Sequence, residues 1–164
     1  MKPFTNIVFL CFIVLNSNGQ TTDSSKIKKM NMFKIEKSDE EWKKELSPEQ
    51  YNVLRQCGTE LPGTGKYDNF YKDGVYECAA CGLVLFDAKT KYHSGSGWPS
   101  FYDVISAGKV ILIDDNTLGM IRTEVRCSRC GSHLGHVFND GPAPTHMRYC
   151  INSEALKFIE DKKE

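Results

Sequence analysis

The chain has 164 residues, and its 21 lysines and arginines balance 21 aspartates and glutamates, so its formal net charge is zero. A balanced chain with no basic run interleaved with aromatic residues gives no sign of a nucleic-acid partner or of a membrane surface. Without its N-terminal segments it keeps roughly 125 residues, which is the size of one domain.

Residues 1–19 have the pattern of a secretory signal peptide. Lys2 supplies the positive charge, residues 7–15 form an apolar run too short to span a bilayer, and Ser17 and Gly19 are the small residues of a cleavage site. The alternative is a membrane anchor that is not removed. We predict an exported protein, periplasmic or secreted, with no membrane attachment after cleavage.

Residues 20–37 are polar and carry several lysines without apolar periodicity, which predicts a flexible linker before a domain over residues 38–160. The domain should open with two helices, because two segments begin with a capping box: Ser38 with Glu41, and Ser47 with Gln50. The second helix is expected to stop near Gly58, which places Cys57 at its C-terminus or just after it.

From Val75 onward the sequence favours β structure. Short apolar and β-branched segments are separated by turn residues, and the predicted strands are 75–78, 83–86, 110–113, 120–125, 133–138 and 146–152. The predicted strand 120–125 alternates loosely. One face carries Ile121, Thr123 and Val125, and the other carries the charged residues Arg122, Glu124 and Arg126. We therefore predict a small, mainly β domain of antiparallel strands with N-terminal helices.

Four of the seven cysteines form two matched pairs, each followed by glycine: Cys78 with Cys81, and Cys127 with Cys130. Two such knuckles suit one tetrahedral Zn²⁺ held by four thiolates, which would join distant parts of the domain. A four-thiolate zinc has no open position, so it predicts a structural metal and places any chemistry elsewhere. Three disulfides among six cysteines, or a thioredoxin-like redox motif, are the alternatives.

Cys150 is the candidate for that chemistry. In an extended strand its side chain shares one face with Arg148 and Asn152. The neighbours Tyr149 and Ile151 would then face the core. A nearby arginine favours the thiolate, which is the reactive form of cysteine. The alternative is a buried and inert cysteine.

Two further features could surround this thiol. His133 and His136 follow the second knuckle, and free imidazoles near a thiolate suit proton delivery or hydrogen bonding to a polar substrate oxygen. They could instead ligate zinc or be satisfied structural side chains. Trp98 lies in the glycine-rich segment 94–101, and its indole could pack against a methyl or thioether group or belong to the core.

Taken together, these segments resemble the methionine-R-sulfoxide reductase family (MsrB). The resemblance runs from about residue 38 to 159, and its motifs are Gly97-Trp98-Pro99-Ser100-Phe101, Cys130-Gly131-Ser132-His133-Leu134-Gly135-His136-Val137-Phe138, Asp140-Gly141-Pro142 and Arg148-Tyr149-Cys150-Ile151-Asn152-Ser153. It implies a fold of two antiparallel sheets with a structural zinc. It also implies reduction of the R epimer of methionine sulfoxide, preferably within proteins, as a repair of oxidised proteins.

The resemblance also implies roles for single residues. Cys150 would attack the sulfoxide sulfur and finish as a sulfenic acid, with methionine as the product. The other implied site residues are His133, His136 and Asn152 around the sulfoxide oxygen, Trp98 and Phe138 at the substrate, and Arg148, which helps to set the charge of the nucleophile.

One departure from the family concerns the resolving cysteine. Many members carry it in the glycine-rich loop two residues before the tryptophan, where this chain has Ser96. Some similar members place it near the end of the second helix, so the resemblance points to Cys57 and to a Cys150–Cys57 disulfide, which needs Cα atoms within about 7 Å. The alternative is a Cys57 without a role and direct reduction of the sulfenic acid by an external thiol.

The expected partners follow from this chemistry. We expect oxidised proteins or peptides as substrates and a thioredoxin-like reductant, which would have to act outside the cytoplasm if the chain is exported. We expect a monomer. A zinc-ribbon-like binding module, in which Cys150 is incidental, is the alternative from another functional class.

Overall fold

The computed structural model describes residues 34–162, so the predicted signal peptide and most of the predicted linker lie outside the described residues. Two helices open the domain, α1 (Asp39–Glu45) and α2 (Pro48–Gln56), and both predicted capping boxes are confirmed. The second helix ends at Cys57, which has a left-handed backbone with φ of 57°. In the described part of the chain, no helix combines the length and the apolar content that a bilayer crossing requires.

Residues 34–162 contain nine strands, which form two sheets in which every pairing is antiparallel. They are β1 (Gly74–Cys78), β2 (Val84–Asp87), β3 (Lys91–Tyr92), β4 (Ser100–Phe101), β5 (Val110–Asp115), β6 (Arg122–Cys127), β7 (His133–Phe138), β8 (Arg148–Ile151) and β9 (Leu156–Glu160). The small sheet has the order β2-β1-β9 and the large one β3-β4-β8-β7-β6-β5. The mainly β fold of two antiparallel sheets is confirmed.

The two sheets meet at a cluster of buried aromatic rings. Tyr76 and Phe86 from the small sheet contact Phe101 from the large one, and the rings of Phe86 and Phe101 are stacked with centroids 4.4 Å apart. All three side chains are fully buried. Burial of large aromatic side chains is the main favourable term here, and it fixes β4, which is hydrogen-bonded to β8, against the small sheet.

Three strands were not predicted. β3 and β4 have only two residues each, too few to show a period of two, and β9 is held by its pairing with all five residues of β1. The predicted strand 146–152 is also shorter in the structure, where β8 covers Arg148–Ile151.

The alternation predicted for β6 holds only in part. Ile121 was assigned to the apolar face but precedes the strand and is 93% exposed, whereas Glu124 on the charged face is 7% exposed. A bulge between Val125 and Arg126 shifts the register against β7. The physical reason is that the charged face of β6 does not point to solvent but covers a buried polar cluster, described below.

Candidate functional site

The four paired cysteines form a candidate structural metal centre. Their sulfur atoms all lie within 4.8 Å of one another. The Sγ atoms of Cys78 and Cys130 are 3.8 Å apart, and those of Cys81 and Cys127 are 3.6 Å apart. A Zn²⁺ with four Zn–S bonds of about 2.3 Å places its sulfur atoms about 3.8 Å apart, so the residues fit the ion. Among residues 34–162 no cysteine is in a disulfide, so the three-disulfide alternative is wrong.

The register of the large sheet places the candidate nucleophile in a row of polar side chains. Glu124 on β6 pairs with His136 on β7, which in turn pairs with Cys150 on β8. Directly paired residues of antiparallel strands project to the same face, so these three side chains lie side by side. The opposite face of β8 carries Tyr149 and Ile151, which are buried.

A pocket open to solvent lies above this row, with a cavity volume of about 130 Å³. Five predicted site residues line it: Trp98, His136, Phe138, Cys150 and Asn152. Gly135 forms part of its floor, where a Cβ atom would lie 2.1 Å from the carbonyl oxygen of Cys150, so only glycine allows β7 and β8 to approach so closely.

Three features of unequal weight shift the pKa of the Cys150 thiol. Burial raises its pKa above the ordinary value, whereas the hydroxyl of Ser96 and the guanidinium of Arg148 lower it. The Ser96 oxygen lies 3.7 Å from the Cys150 sulfur. Arg148 also donates two hydrogen bonds to Asp140, at 2.8 and 2.9 Å, and so divides its charge between two partners. Arginine therefore favours the thiolate, as expected, but burial is the larger effect.

His136 is held by a carboxylate from the neighbouring hairpin. Its Nε2 atom lies 2.8 Å from Oδ2 of Asp115, at the end of β5. The same oxygen accepts a hydrogen bond of 2.6 Å from Arg122, and Oδ1 accepts bonds from the amide and hydroxyl of Thr117. These donors keep the pKa of Asp115 well below its usual range, with the Thr117 bonds as the largest cause. The ionised Asp115 carboxylate therefore fixes the orientation of the His136 imidazole.

His133 lies beside His136, with ring centroids 5.5 Å apart, but has a different partner. Its Nδ1 atom is 2.6 Å from Glu124, whose other oxygen is 2.9 Å from Nε of Arg126. Burial lowers the pKa of His133, so the neutral ring is favoured, with its proton on Nδ1 toward the carboxylate. Nε2 is buried and has no hydrogen-bond partner among residues 34–162.

Trp98 and Asn152 are fixed by one segment that follows α2. The indole Nε1 of Trp98 donates to the carbonyl of Glu60 at 3.1 Å, and the amide of Glu60 donates to Oδ1 of Asn152 at 3.1 Å. Asn152 also donates from Nδ2 to the carbonyl of Leu134. Both ends of the Asn152 amide are therefore engaged within the fold, and the indole edge is anchored while its ring faces the pocket.

Cys57 is not brought together with Cys150. It is exposed and lies outside the pocket lining, with its sulfur 3.9 Å from Oε1 of Glu124 and 3.9 Å from Nη2 of Arg126. Glu124 and Cys150 are two interstrand spacings apart, which amounts to about 10 Å between their Cα atoms, and His136 stands between them. A disulfide with Cys150 requires a movement of the chain around Cys57.

Four functional residues were not singled out by their sequence patterns. Thr59 and Arg122 line the pocket, and Asp115 and Glu124 hold the two histidines. The alternation in β6 gave the signal for Arg122 and Glu124, because it placed them on one face of a predicted strand. Thr59 and Asp115 lie in turn-like sequence and carry no such signal.

Comparisons with known proteins find one family to which the chain is similar. The SelR domain family matches residues 46–160. The protein named peptide methionine sulfoxide reductase MsrB in Leptospira interrogans is 60% identical over 129 residues, which cover 79% of this chain and 98% of that protein. Proteins of the same name are 64% identical in Methanosarcina barkeri, covering 79% of this chain and 91% of that protein, and 59% identical in Pseudomonas putida, covering 76% and 95%.

Proposed function

We propose that this chain, which belongs to the SelR-domain family of peptide methionine sulfoxide reductases (MsrB), reduces the R epimer of methionine sulfoxide in peptides and proteins. The observation that carries the proposal is the pocket in which a single thiol, Cys150, lies beside an imidazole, His136, and an anchored indole, Trp98. A nucleophile, a proton donor and an apolar ring are the groups that a methyl sulfoxide requires.

The first step consumes the sulfoxide. The Cys150 sulfur attacks the sulfoxide sulfur, the sulfoxide oxygen gains a proton, and the oxygen is transferred so that methionine and a Cys150 sulfenic acid result. The methionine sulfur is reduced and the Cys150 sulfur is oxidised by two electrons. Trp98 is assigned to the methyl group and Phe138 to the same apolar wall, because both line the pocket.

His136 is assigned as the proton donor of this step. It lines the pocket, and its Nε2 is bonded to Asp115, so Nδ1 is the nitrogen that can donate to the substrate oxygen. His133 is assigned a supporting role, because it is buried and favours the neutral ring. Arg148 and Ser96 help to stabilise the Cys150 thiolate, and Asn152 holds β8 to the loop that carries Glu60.

The second step recycles the enzyme. Cys57 attacks the Cys150 sulfenic acid to form a disulfide and water, and a thioredoxin-like dithiol reduces that disulfide. In support, Cys57 is the one cysteine of residues 34–162 besides Cys150 that lies outside the four-thiol cluster. It also ends α2 with a left-handed backbone, a conformation that a residue other than glycine adopts at an energetic cost.

We assign Zn²⁺ to the four-thiol cluster. Cys78, Cys81, Cys127 and Cys130 would hold it, and it would supply folding energy rather than chemistry, because four thiolates leave no open coordination position. We expect one zinc per chain by elemental analysis. A sample that folds and unfolds cooperatively without metal would contradict this assignment.

Export remains part of the proposal. Residues 1–19 have the charge and hydrophobic pattern of a signal peptide, so the mature protein is expected to begin at Gln20 in the periplasm or medium, with its reductant in the same compartment. N-terminal sequencing of the protein from fractionated cells tests this. Recovery from the cytoplasm with an intact N-terminus would contradict it.

The reaction itself is tested with a methionine sulfoxide peptide whose R and S epimers are supplied separately, with dithiothreitol as the reductant. We expect wild-type protein to reduce the R epimer alone and Cys150→Ser to reduce neither, while both samples bind one zinc. A folded, zinc-loaded wild-type protein that reduces neither epimer would favour the binding-module alternative.

A further inference from the structure

Cys57 has a polar environment of its own, although it is exposed. Glu124 and Arg126, neighbours on the charged face of β6, each place one side-chain atom 3.9 Å from its sulfur. They also bind each other, with Nε of Arg126 2.9 Å from Oε2 of Glu124. We call Glu124 and Arg126 the thiol dock.

The dock is rigid because Glu124 has a further strong partner. Its Oε1 atom, the one that faces Cys57, lies 2.6 Å from Nδ1 of His133. Glu124 and His133 are almost fully buried, so neither can turn away to solvent without losing a buried charge-assisted hydrogen bond. A thiol at this position therefore meets a carboxylate oxygen that is fixed in place.

The two charges of the dock act on the thiol in opposite directions. A carboxylate beside the sulfur accepts the S–H proton in a hydrogen bond and disfavours the thiolate, whereas the guanidinium favours the thiolate. The pKa of Cys57 is raised, chiefly by partial burial of the sulfur and next by Glu124, while Arg126 and the more distant Arg55 lower it. His133 faces the same carboxylate, and its lowered pKa favours the neutral imidazole.

The dock also separates the two cysteines. A disulfide requires sulfur atoms about 2 Å apart. In the structure the Cys57 sulfur lies beside Glu124 and Arg126 and outside the pocket that Cys150 lines, and His136 stands between Glu124 and Cys150 in the sheet. Attack on Cys150 therefore requires Cys57 to leave the dock.

We propose that Glu124 and Arg126 form a docking site for the Cys57 thiol that holds it protonated and apart from Cys150 between turnovers. This inference rests on the proposed function for its biological meaning, because it treats Cys57 as the resolving cysteine. A docked thiol is a poor nucleophile and is oxidised slowly, so the reducing equivalent survives at an exposed position until it is used.

Departure from the dock then favours the recycling step. Away from the Glu124 carboxylate the thiol ionises more readily, and its sulfur attacks the sulfur of the Cys150 sulfenic acid. The S–S bond forms, the S–O bond breaks, and the departing hydroxide combines with the proton that Cys57 released on ionising and leaves as water. Cys57 is oxidised and the sulfenic sulfur of Cys150 is reduced, so the step needs no other reactant.

The test measures the reactivity of Cys57 directly, without methionine sulfoxide. The zinc-loaded full chain carries Cys150→Ser, and the rate of alkylation of Cys57 by iodoacetamide is followed by peptide mass spectrometry between pH 6 and pH 10. Glu124→Gln should move the profile to lower pH and accelerate alkylation at pH 8, by about tenfold if the profile moves by about one pH unit. Arg126→Gln should move it to higher pH and slow alkylation at the same pH.

The matched control is Asp114→Asn, which removes an exposed carboxylate of β5 and should leave the profile unchanged. Zinc content and circular dichroism show whether each variant is folded. If Glu124→Gln does not fold, the profile of Arg126→Gln decides the test. Profiles that move in the same direction in both folded variants, or in neither, would overturn the dock. Failure of the proposed function would be seen separately. In that case the wild-type protein forms no methionine, although the alkylation profile of Cys57 responds to the variants as the dock predicts.

Discussion

The four-thiol cluster and the Cys150 pocket both depend on cysteine, yet their surroundings differ in every respect that decides what a thiol does. In the cluster, sulfur faces sulfur at 3.6 to 3.8 Å, and three of the four residues are buried. In the pocket, one sulfur faces a hydroxyl, an imidazole and an indole and can be reached from outside. The four thiols of the cluster lie at the spacing that a metal ion requires, whereas the pocket leaves one thiol accessible.

The large sheet contributes to both sites, and one strand separates its two contributions. Cys127 ends β6 and Cys150 lies in β8, with β7 between these strands. The cluster ties the end of β6 to the small sheet through Cys78, which ends β1. Because the cluster holds the end of β6 in place, the row of Glu124, His136 and Cys150 across β6, β7 and β8 keeps its spacing.

Loss of one cluster thiol should have the largest effect on the molecule. Cys127→Ser removes a fully buried ligand, and because structural zinc supplies folding energy we expect loss of the metal and a fall in Tm of at least roughly 10 °C. Zinc analysis and thermal unfolding measure this. The control is Cys150→Ser, which should keep one zinc and the wild-type Tm. A metal-free Cys127→Ser protein with the wild-type Tm would show that the cluster is not structural.

The pocket should accept a second resolving thiol. Ser96 lies 3.7 Å from the Cys150 sulfur and between two glycines with positive φ, so Ser96→Cys needs a shift of about 2 Å to reach disulfide length. In a Cys57→Ser background we expect it to restore turnover with a thioredoxin-like reductant, on the order of tenfold or more above Cys57→Ser alone. Non-reducing mass spectrometry identifies the bond. Absence of a bond to Cys150 would mean that the loop is held more rigidly than its glycines indicate.

A smaller effect is expected at the carboxylate that orients His136. Asp115→Asn keeps the size of the side chain but replaces the carboxylate that orients the imidazole of His136, so we expect kcat/KM for the R epimer to fall by roughly tenfold. Asp114→Asn, which changes the adjacent exposed residue, should have no effect. An unchanged kcat/KM in folded Asp115→Asn would show that Asp115 does not act through His136.

A feature of the fold or the site could be predicted from the sequence when the pattern that encodes it lies within one short segment. The capping boxes of Ser38 and Ser47, the knuckle pairs and the alternation around Cys150 are short-range patterns, and the structure agrees with each. The partners of the histidines are not local. Asp115 and Glu124 reach His136 and His133 only through the pairing of β5, β6 and β7, and a bulge sets part of that register. No pattern within one segment contains that information.

The contacts of Cys57 could not be predicted from the sequence for the same reason. Its place at the end of α2 was predicted from Gly58 and the helix start, but the face of the sheet that it meets depends on how α2 packs. The residues that hold it, Glu124 and Arg126, lie 67 and 69 positions away in the sequence. Resemblance to a family can suggest the role of such a residue, but only the tertiary structure gives its contacts.

The smallest effect is expected from the arginine beside the nucleophile. Burial holds the pKa of Cys150 above its ordinary value and Arg148 opposes this, so Arg148→Gln should raise that pKa further. Because the thiolate is the reactive form and its fraction grows with pH, alkylation of Cys150 in a Cys57→Ser background should slow at pH 8, by roughly threefold if the pKa rises by about half a pH unit. Well above the pKa, where both proteins are ionised, the rates should converge. Arg148→Lys, which keeps the charge but loses the paired bonds to Asp140, should lie between the two. Superimposable profiles for wild type and Arg148→Gln would mean that Asp140 neutralises the guanidinium and that Ser96 alone offsets burial at Cys150.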